Sequence, residues 1–316
     1  MMTRKLLAAG VVTGVALTVA ACGSSDDTTE SSTDTAAGQT LTFAAVPAES
    51  SATLEQTFQN ITALIEQETG ATVEFQNASD YAAVIEGMRA GQVDLASFGP
   101  FSYVIGKDSG IDMEPIAAPT HDPDVAPAYT SLAYVPEDSD IQSLEDLRGR
   151  TVCFVDQAST SGYLVPMKGL NDVGIDLNAD LTPVLAGGHD ASLLSLGSEN
   201  CEAAFAHDAM LTTLTKSGQV EEGALRSIWE SDPITEDPIA VNRSTVDAEL
   251  ADQIITVLRE KANKPALVEA GICSSEEDCE LPEETEYGYL PVTDEDFDPI
   301  RDICRVTDAE ACRNVG

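Results

Sequence analysis

The chain has 316 residues, 43% of them apolar and 22% charged, with 16 Lys+Arg against 55 Asp+Glu and a formal charge of −39. It is too apolar for a disordered protein and long enough to bury a core in one large domain or two medium ones. A surface this acidic repels phosphate backbones and anionic lipid headgroups, which excludes nucleic acid as a partner, so any small anion it holds must be bound by local dipoles.

The chain opens with Arg4 and Lys5 ahead of an apolar stretch, LLAAGVVTGVALTVAA. That stretch is shorter than the roughly 20 residues of a membrane span and fits a secretory signal over residues 1–21. It ends in Val19-Ala20-Ala21-Cys22, which resembles a bacterial lipobox, where cleavage precedes the cysteine and the thiol is lipidated. Cys22 is the expected lipid (palmitate) anchor; an ordinary signal with a chance cysteine is the other reading. Gly23 to Gln39 has 12 Ser, Thr, Asp or Glu among 17 residues, so residues 22–40 are expected to be a flexible tether. The folded body starts near Leu41.

Within the body, strands and helices alternate. Leu41–Val46 reads as a strand, followed by a helix through Leu54, Phe58, Ile61 and Ile65 that stops at Gly70,. Ala71–Gln76 is a second strand, Ser79 or Asp80 caps a helix through Val84, Ile85 and Met88, and Val93–Phe98 is a third strand before Gly99-Pro100,. This βαβαβα order predicts a parallel sheet covered by helices. Thr130–Val135 and Thr151–Val155 are further strands, with a helix predicted over Gly162–Leu170. Strands at Leu181–Leu185 and Glu202–Phe205, a helix at Ala191–Leu196 and strands at Ile228 and Ile239–Val241 make a second α/β series. The class is α/β in two lobes: residues 41–127 plus 242–316 form the first and 128–241 the second. The crossings are expected at Ala128–Val135 and Pro238–Val241, with a ligand cleft between the lobes.

Six cysteines follow Cys22: Cys153, Cys201, Cys273, Cys279, Cys304 and Cys312. Six allow 15 pairings. Proximity favours Cys273 with Cys279 and Cys304 with Cys312, which leaves Cys153 with Cys201. With no CxxC and no histidine near a cysteine pair, disulfides are favoured over a metal site, and no cofactor is implied.

Ser159-Thr160-Ser161 stands just before a predicted helix, where hydroxyls and unpaired amides converge on one point. A helix start carries about half a positive charge and holds oxyanions without lysine. A plain N-cap needs only one such hydroxyl. His189 follows Gly187-Gly188 at another helix start, where it either packs or faces the cleft.

Five segments carry a family resemblance. DYAAVIEGMRAGQVDLASFGPFSYV (Asp80–Val104) resembles the first lobe of phosphonate-binding proteins of ABC uptake systems. FVDQASTSGYLVP (Phe154–Pro166) and AGGHDASLL (Ala186–Leu194) resemble the second, and IWESDPITEDPIAV and PVTDEDFDPIRD continue in family order. The resemblance implies a type II periplasmic-binding fold, a phosphonate, phosphite or phosphate ligand, a permease partner and a monomer anchored on the extracytoplasmic face. It implies that Tyr81 and Tyr129 donate phenol protons, that His189 meets the anion, and that Asp237 faces the ligand. Ser97 replaces an aromatic of the family pattern, and the acid that recognises an aminoalkyl group aligns near Ala209, beside Asp208; both departures favour a smaller oxyanion.

Two rival functions compete. Another small anion, such as a sulfonate, fits the same dipoles, although an acceptor such as Asp237 favours a protonated phosphorus oxyanion. Ser159 with His189 could also be read as a hydrolase pair, but no GxSxG elbow accompanies it,.

Overall fold

The computed structural model describes residues 38–49, 51–282, 285–307 and 309–314. The expected signal segment, Cys22 and most of the tether lie outside them.

The first half of the body follows the alternation read from the sequence. β1 (Thr40–Ala45), α1 (Ser51–Thr69), β2 (Thr72–Asn77), α2 (Tyr81–Arg89), β3 (Leu95–Ser97), α3 (Pro100–Asp108) and β4 (Met113–Thr120) succeed one another. Leu54, Phe58, Ile61 and Ile65 recur on one face of α1 and are all buried,. Burying each such side chain contributes about 1.5–3 kcal/mol. Asp80 caps α2 by accepting the Ala83 amide at 2.8 Å,.

The chain then builds β5 (Ala128–Tyr129), β6 (Ser131–Pro136), β7 (Thr151–Phe154), α4 (Val165–Asp172), α5 (Leu177–Asp180), β8 (Thr182–Leu185) and α6 (His189–Gly197). β9 (Ala203–His207), α7 (Met210–Lys216), β10 (Leu225–Glu230) and β11 (Ile234–Thr235) complete this half. It returns through β12 (Ile239–Asn242), α8 (Ala248–Lys261), α9 (Lys264–Glu269), β13 (Gly288–Pro291) and α10 (Asp298–Val306).

Two sheets result. The six-stranded sheet has the order β13-β4-β12-β3-β1-β2, and the five-stranded sheet β10-β6-β9-β7-β8. β1 is parallel to β2 and β3, as expected, but β12 runs antiparallel between β3 and β4 and β13 antiparallel to β4. The first sheet is therefore mixed rather than parallel, because a chain returning from the other sheet enters it from the opposite end. β12 also shifts the return crossing: Ile239–Val241, expected to close the second lobe, belongs to the first sheet. The links between sheets run through β5 and β11, which pair as a short antiparallel ribbon.

Three disulfides join the cysteine pairs favoured by the sequence, Cys153–Cys201, Cys273–Cys279 and Cys304–Cys312, with Cα separations of 5.8, 5.3 and 5.3 Å. The first closes the 48-residue span between β7 and the start of β9, neighbours in the five-stranded sheet. One apolar cluster runs from Val84, Met88 and Phe101 beside the first sheet to Val135, Phe154 and Leu164 beside the second. Among the described residues no helix is long and apolar enough to cross a membrane.

Candidate functional site

The segment after β7 does not enter an ordinary helix. Ser159 caps the turn by accepting the Gly162 amide at 3.1 Å, and Thr160–Leu164 winds as one π-helical turn before α4. The helix predicted over Gly162–Leu170 is thus split. Pro166 explains the split, since it has no N–H for the carbonyls behind it. Two of those carbonyls find partners outside the helix: Ser131 Oγ donates to Ser161 O at 2.6 Å, and the Val155 amide to Gly162 O at 3.1 Å. Gly162 is required by this fit, because a Cβ there would lie 2.3 Å from Val155 Cγ2.

This turn forms one wall of a narrow pocket. Ser159, Thr160 and Ser161 line it, each nearly inaccessible to solvent. His189 enters from the start of α6, Tyr81 from the first residue of α2, Tyr129 from β5, and Asp237 from the link into β12. All seven side chains singled out in the sequence therefore meet in one place. Four lining residues were not anticipated: Ala48, Gly99, His207 and Glu236. Among the described residues, no lysine or arginine lines the pocket.

Two hydrogen bonds cross the pocket between the sheets. Thr160 Oγ1 accepts the Phe101 amide of the first turn of α3 at 2.8 Å, and the His189 amide donates to Ala48 O at 2.7 Å. At the α6 start the His189 amide thus faces Ala48, and the Ala191 amide is taken by Asp190 Oδ1 at 2.7 Å. What α6 offers the pocket is the imidazole.

That imidazole is a neutral donor. Its Nδ1 accepts the His207 amide at 3.1 Å, which leaves the ring proton on Nε2, 3.5 Å from Ser159 Oγ,. Burial, reinforced by the His207 ring at 4.7 Å, holds its pKa well below the usual 6.5,. The Tyr129 phenol is likewise a neutral donor: burial first, then Asp237 and Glu236, raise its pKa well above 10 against the opposing hydrogen bonds of Ser161 and Thr160.

Asp208 takes no part in the pocket. Its Oδ2 accepts the Thr130 amide at 2.9 Å and the Thr130 hydroxyl at 3.1 Å, and its Oδ1 accepts the Ala209 amide at 2.9 Å. The arrangement also lacks the wiring of a hydrolase triad. In such a triad the base donates from Nδ1 to a carboxylate, whereas His189 Nδ1 here is an acceptor for a backbone amide.

Comparison with known proteins accords with this geometry. Residues Phe43 to Cys273 match the profile of a family described as ABC transporter, phosphonate, periplasmic substrate-binding protein. The chain is 40% identical over 308 residues to the phosphate-import protein PhnD of Mycolicibacterium smegmatis, covering 95% of each. Its fold is similar to the crystal structure of a binding component of an ABC phosphonate transporter from Pseudomonas aeruginosa. That match has a TM-score of 0.72 and 24% identity over 84% of this chain and 85% of the other. The Prochlorococcus marinus protein PhnD1, solved in complex with methylphosphonate, gives a TM-score of 0.71 and 17% identity over 85% and 98% of the two chains.

Proposed function

This chain belongs to the family of periplasmic substrate-binding proteins of phosphonate ABC transporters, and from that premise we propose that its pocket captures a small phosphorus oxyanion for import. The observation that carries the reading is the convergence, in one buried pocket, of the hydroxyls of Ser159, Thr160, Ser161, Tyr81 and Tyr129 with the neutral Nε2–H of His189. Neutral donors hold an oxyanion without a counter-cation, as suits a chain of net charge −39,. The acceptors Glu236, buried, and Asp237, partly buried, favour a ligand that brings its own proton, which a sulfonate at neutral pH does not,. Asp208, occupied with Thr130, leaves an aminoalkyl group without its expected acid.

The lobes divide at the β5–β11 ribbon, and donors from both sides make the ligand favour the closed form,. The protein acts as a monomer, anchored by lipid on Cys22 at the extracytoplasmic face, and delivers its ligand to a membrane permease. Cys22→Ser removes the lipid acceptor and releases the protein or leaves it unprocessed; a cleaved variant still retained in the membrane would refute the anchor.

Calorimetry of the purified protein against orthophosphate, phosphite, methylphosphonate, 2-aminoethylphosphonate and an alkylsulfonate tests the ligand class. A phosphorus oxyanion without an amine is expected to bind most tightly, and preference for the sulfonate would contradict the reading.

A further inference from the structure

Ser131 opens β6, just beyond Tyr129 in the chain, and is fully buried without lining the pocket. Its place is fixed by its neighbours. Its amide donates to Ser231 Oγ at 2.9 Å, and its carbonyl accepts the Ser231 amide at 2.9 Å. Thr130, the residue before it, is held by Asp208, whose Oδ2 accepts both the amide and the hydroxyl. From this fixed position the Ser131 hydroxyl leaves its own sheet and donates to Ser161 O in the π-helical turn at 2.6 Å.

The Ser161 carbonyl and the Gly162 amide are the two ends of one peptide group. That amide donates to Ser159 Oγ at 3.1 Å. A proton held at the carbonyl oxygen draws charge through the conjugated C–N bond and makes the N–H a stronger donor, and the N–H in turn polarises the hydroxyl it meets. Ser159 Oγ also faces the Nε2–H of His189 at 3.5 Å. Both neighbours approach its oxygen as donors, and among the described residues no acceptor takes its proton. Ser159 is 1% exposed and lines the pocket. An oxyanion there supplies the missing acceptor.

On the reading that the pocket takes an oxyanion, we infer that Ser131 is a positioning residue for its capture. It touches no ligand and acts through the Ser161–Gly162 peptide group, aligning and polarising the Ser159 hydroxyl that does. The competing role is structural, in which Ser131 merely satisfies a carbonyl of the split helix. The two roles differ in one respect. Structural damage spreads through the turn to Thr160 and Ser161, so it weakens binding whether or not the Ser159 hydroxyl is present. The relay has its outlet at Ser159 Oγ, so its loss has no further effect once that hydroxyl is gone.

The test is a double-variant cycle read by calorimetry, with orthophosphate and methylphosphonate as the probes. It compares the purified wild type with Ser131→Ala, Ser159→Ala and the variant carrying both, each confirmed folded by its melting transition. Ser159→Ala is expected to weaken binding at least about tenfold, and Ser131→Ala about three- to tenfold. The double variant is expected to bind within about twofold of Ser159→Ala, the margin to which independent effects add. Wild-type affinity in Ser131→Ala, or the same fold loss with and without the Ser159 hydroxyl, overturns the role of Ser131 and leaves the oxyanion reading standing. Failure of both probes to bind the wild type removes that reading and the role of Ser131 with it. If Ser131→Ala has no cooperative melting transition, Ser131→Cys, close in size and with only a weak S–H donor, replaces it in the cycle and is judged by the same outcomes.

Discussion

Thr160 Oγ1 and the Phe101 amide, 59 residues apart in the chain, form a 2.8 Å hydrogen bond that ties the π-helical turn of one sheet to the first turn of α3 beside the other. Because the oxygen accepts this amide, the hydroxyl proton is directed into the pocket, where it bonds to the Tyr129 phenol,. One side chain thus helps to hold the two halves together and places a donor where a ligand can compete with Tyr129 for it.

Thr160→Ala removes both functions. It leaves the buried Phe101 amide without its acceptor, at about 1–3 kcal/mol, and it is expected to lower the melting temperature and weaken oxyanion affinity at least about tenfold, where 1.4 kcal/mol is a factor of ten. Thr160→Ser keeps the hydroxyl and is expected to restore most of both. Thermal unfolding with and without ligand, together with calorimetry, checks the pair; an Ala variant equal to wild type in both would refute the bond's role.

His189 gives a signed pH effect. Burial, and next to it His207, hold its folded pKa below the ordinary 6.5, so as pH falls through that value the unfolded chain takes up a proton that the folded one refuses. This group's contribution to stability is present above about pH 6.5 and is lost on acidification. With 55 Asp and Glu residues in the chain, other titrations overlie it, so the informative quantity is the difference between His189→Gln and wild type. The variant is expected to gain stability relative to wild type between pH 7.5 and 5.5. A difference that moves the other way would mean the imidazole is charged in the fold.

The disulfides are graded by the loops they close. Cys153–Cys201 spans 48 residues and Cys273–Cys279 only six, and a longer closed loop restrains the unfolded chain more. The Cys153→Ala, Cys201→Ala double variant is expected to cost on the order of 2–5 kcal/mol, more than the corresponding change at Cys273 and Cys279. Alkylation and mass spectrometry of exported protein should find none of the six thiols free. Two alkylatable cysteines, or the reverse order of destabilisation, would refute this grading.

Much of this was legible before the fold was seen, and the gaps have physical causes. The β1–α1–β2–α2–β3 run declares itself through apolar periodicity and stop signals at Gly70 and Gly91. β4 does not, because Pro115 and Pro119 make MEPIAAPT read as a non-strand,. The structure accommodates Pro115 where the β12–β4 register shifts, between Ile239 and Ala240. β12 was legible as a strand but not its sheet, since strand residues do not encode their neighbours. Of the site, Ser159-Thr160-Ser161 and His189 stood out because each occupies a turn into a predicted helix, whereas Tyr81, Tyr129 and Asp237 came through the family resemblance. His207 and Glu236 were missed. His207 ends a strand of the same sheet as the His189 turn follows, which was a usable signal. Glu236 sits beside Asp237, and nothing in sequence says that two adjacent acids reach one pocket.

The central claim is that neutral donors from the π-helical turn and from α6 bind the anion together. The most direct measurement is calorimetric titration of wild type and of the Thr160→Ala, His189→Ala double variant with the phosphorus oxyanion the wild type prefers, each confirmed folded by its melting transition. The account predicts that the double variant binds at least about a hundredfold more weakly, equivalent to about 2.7 kcal/mol. Wild-type affinity in a folded double variant would contradict it and put the binding site elsewhere.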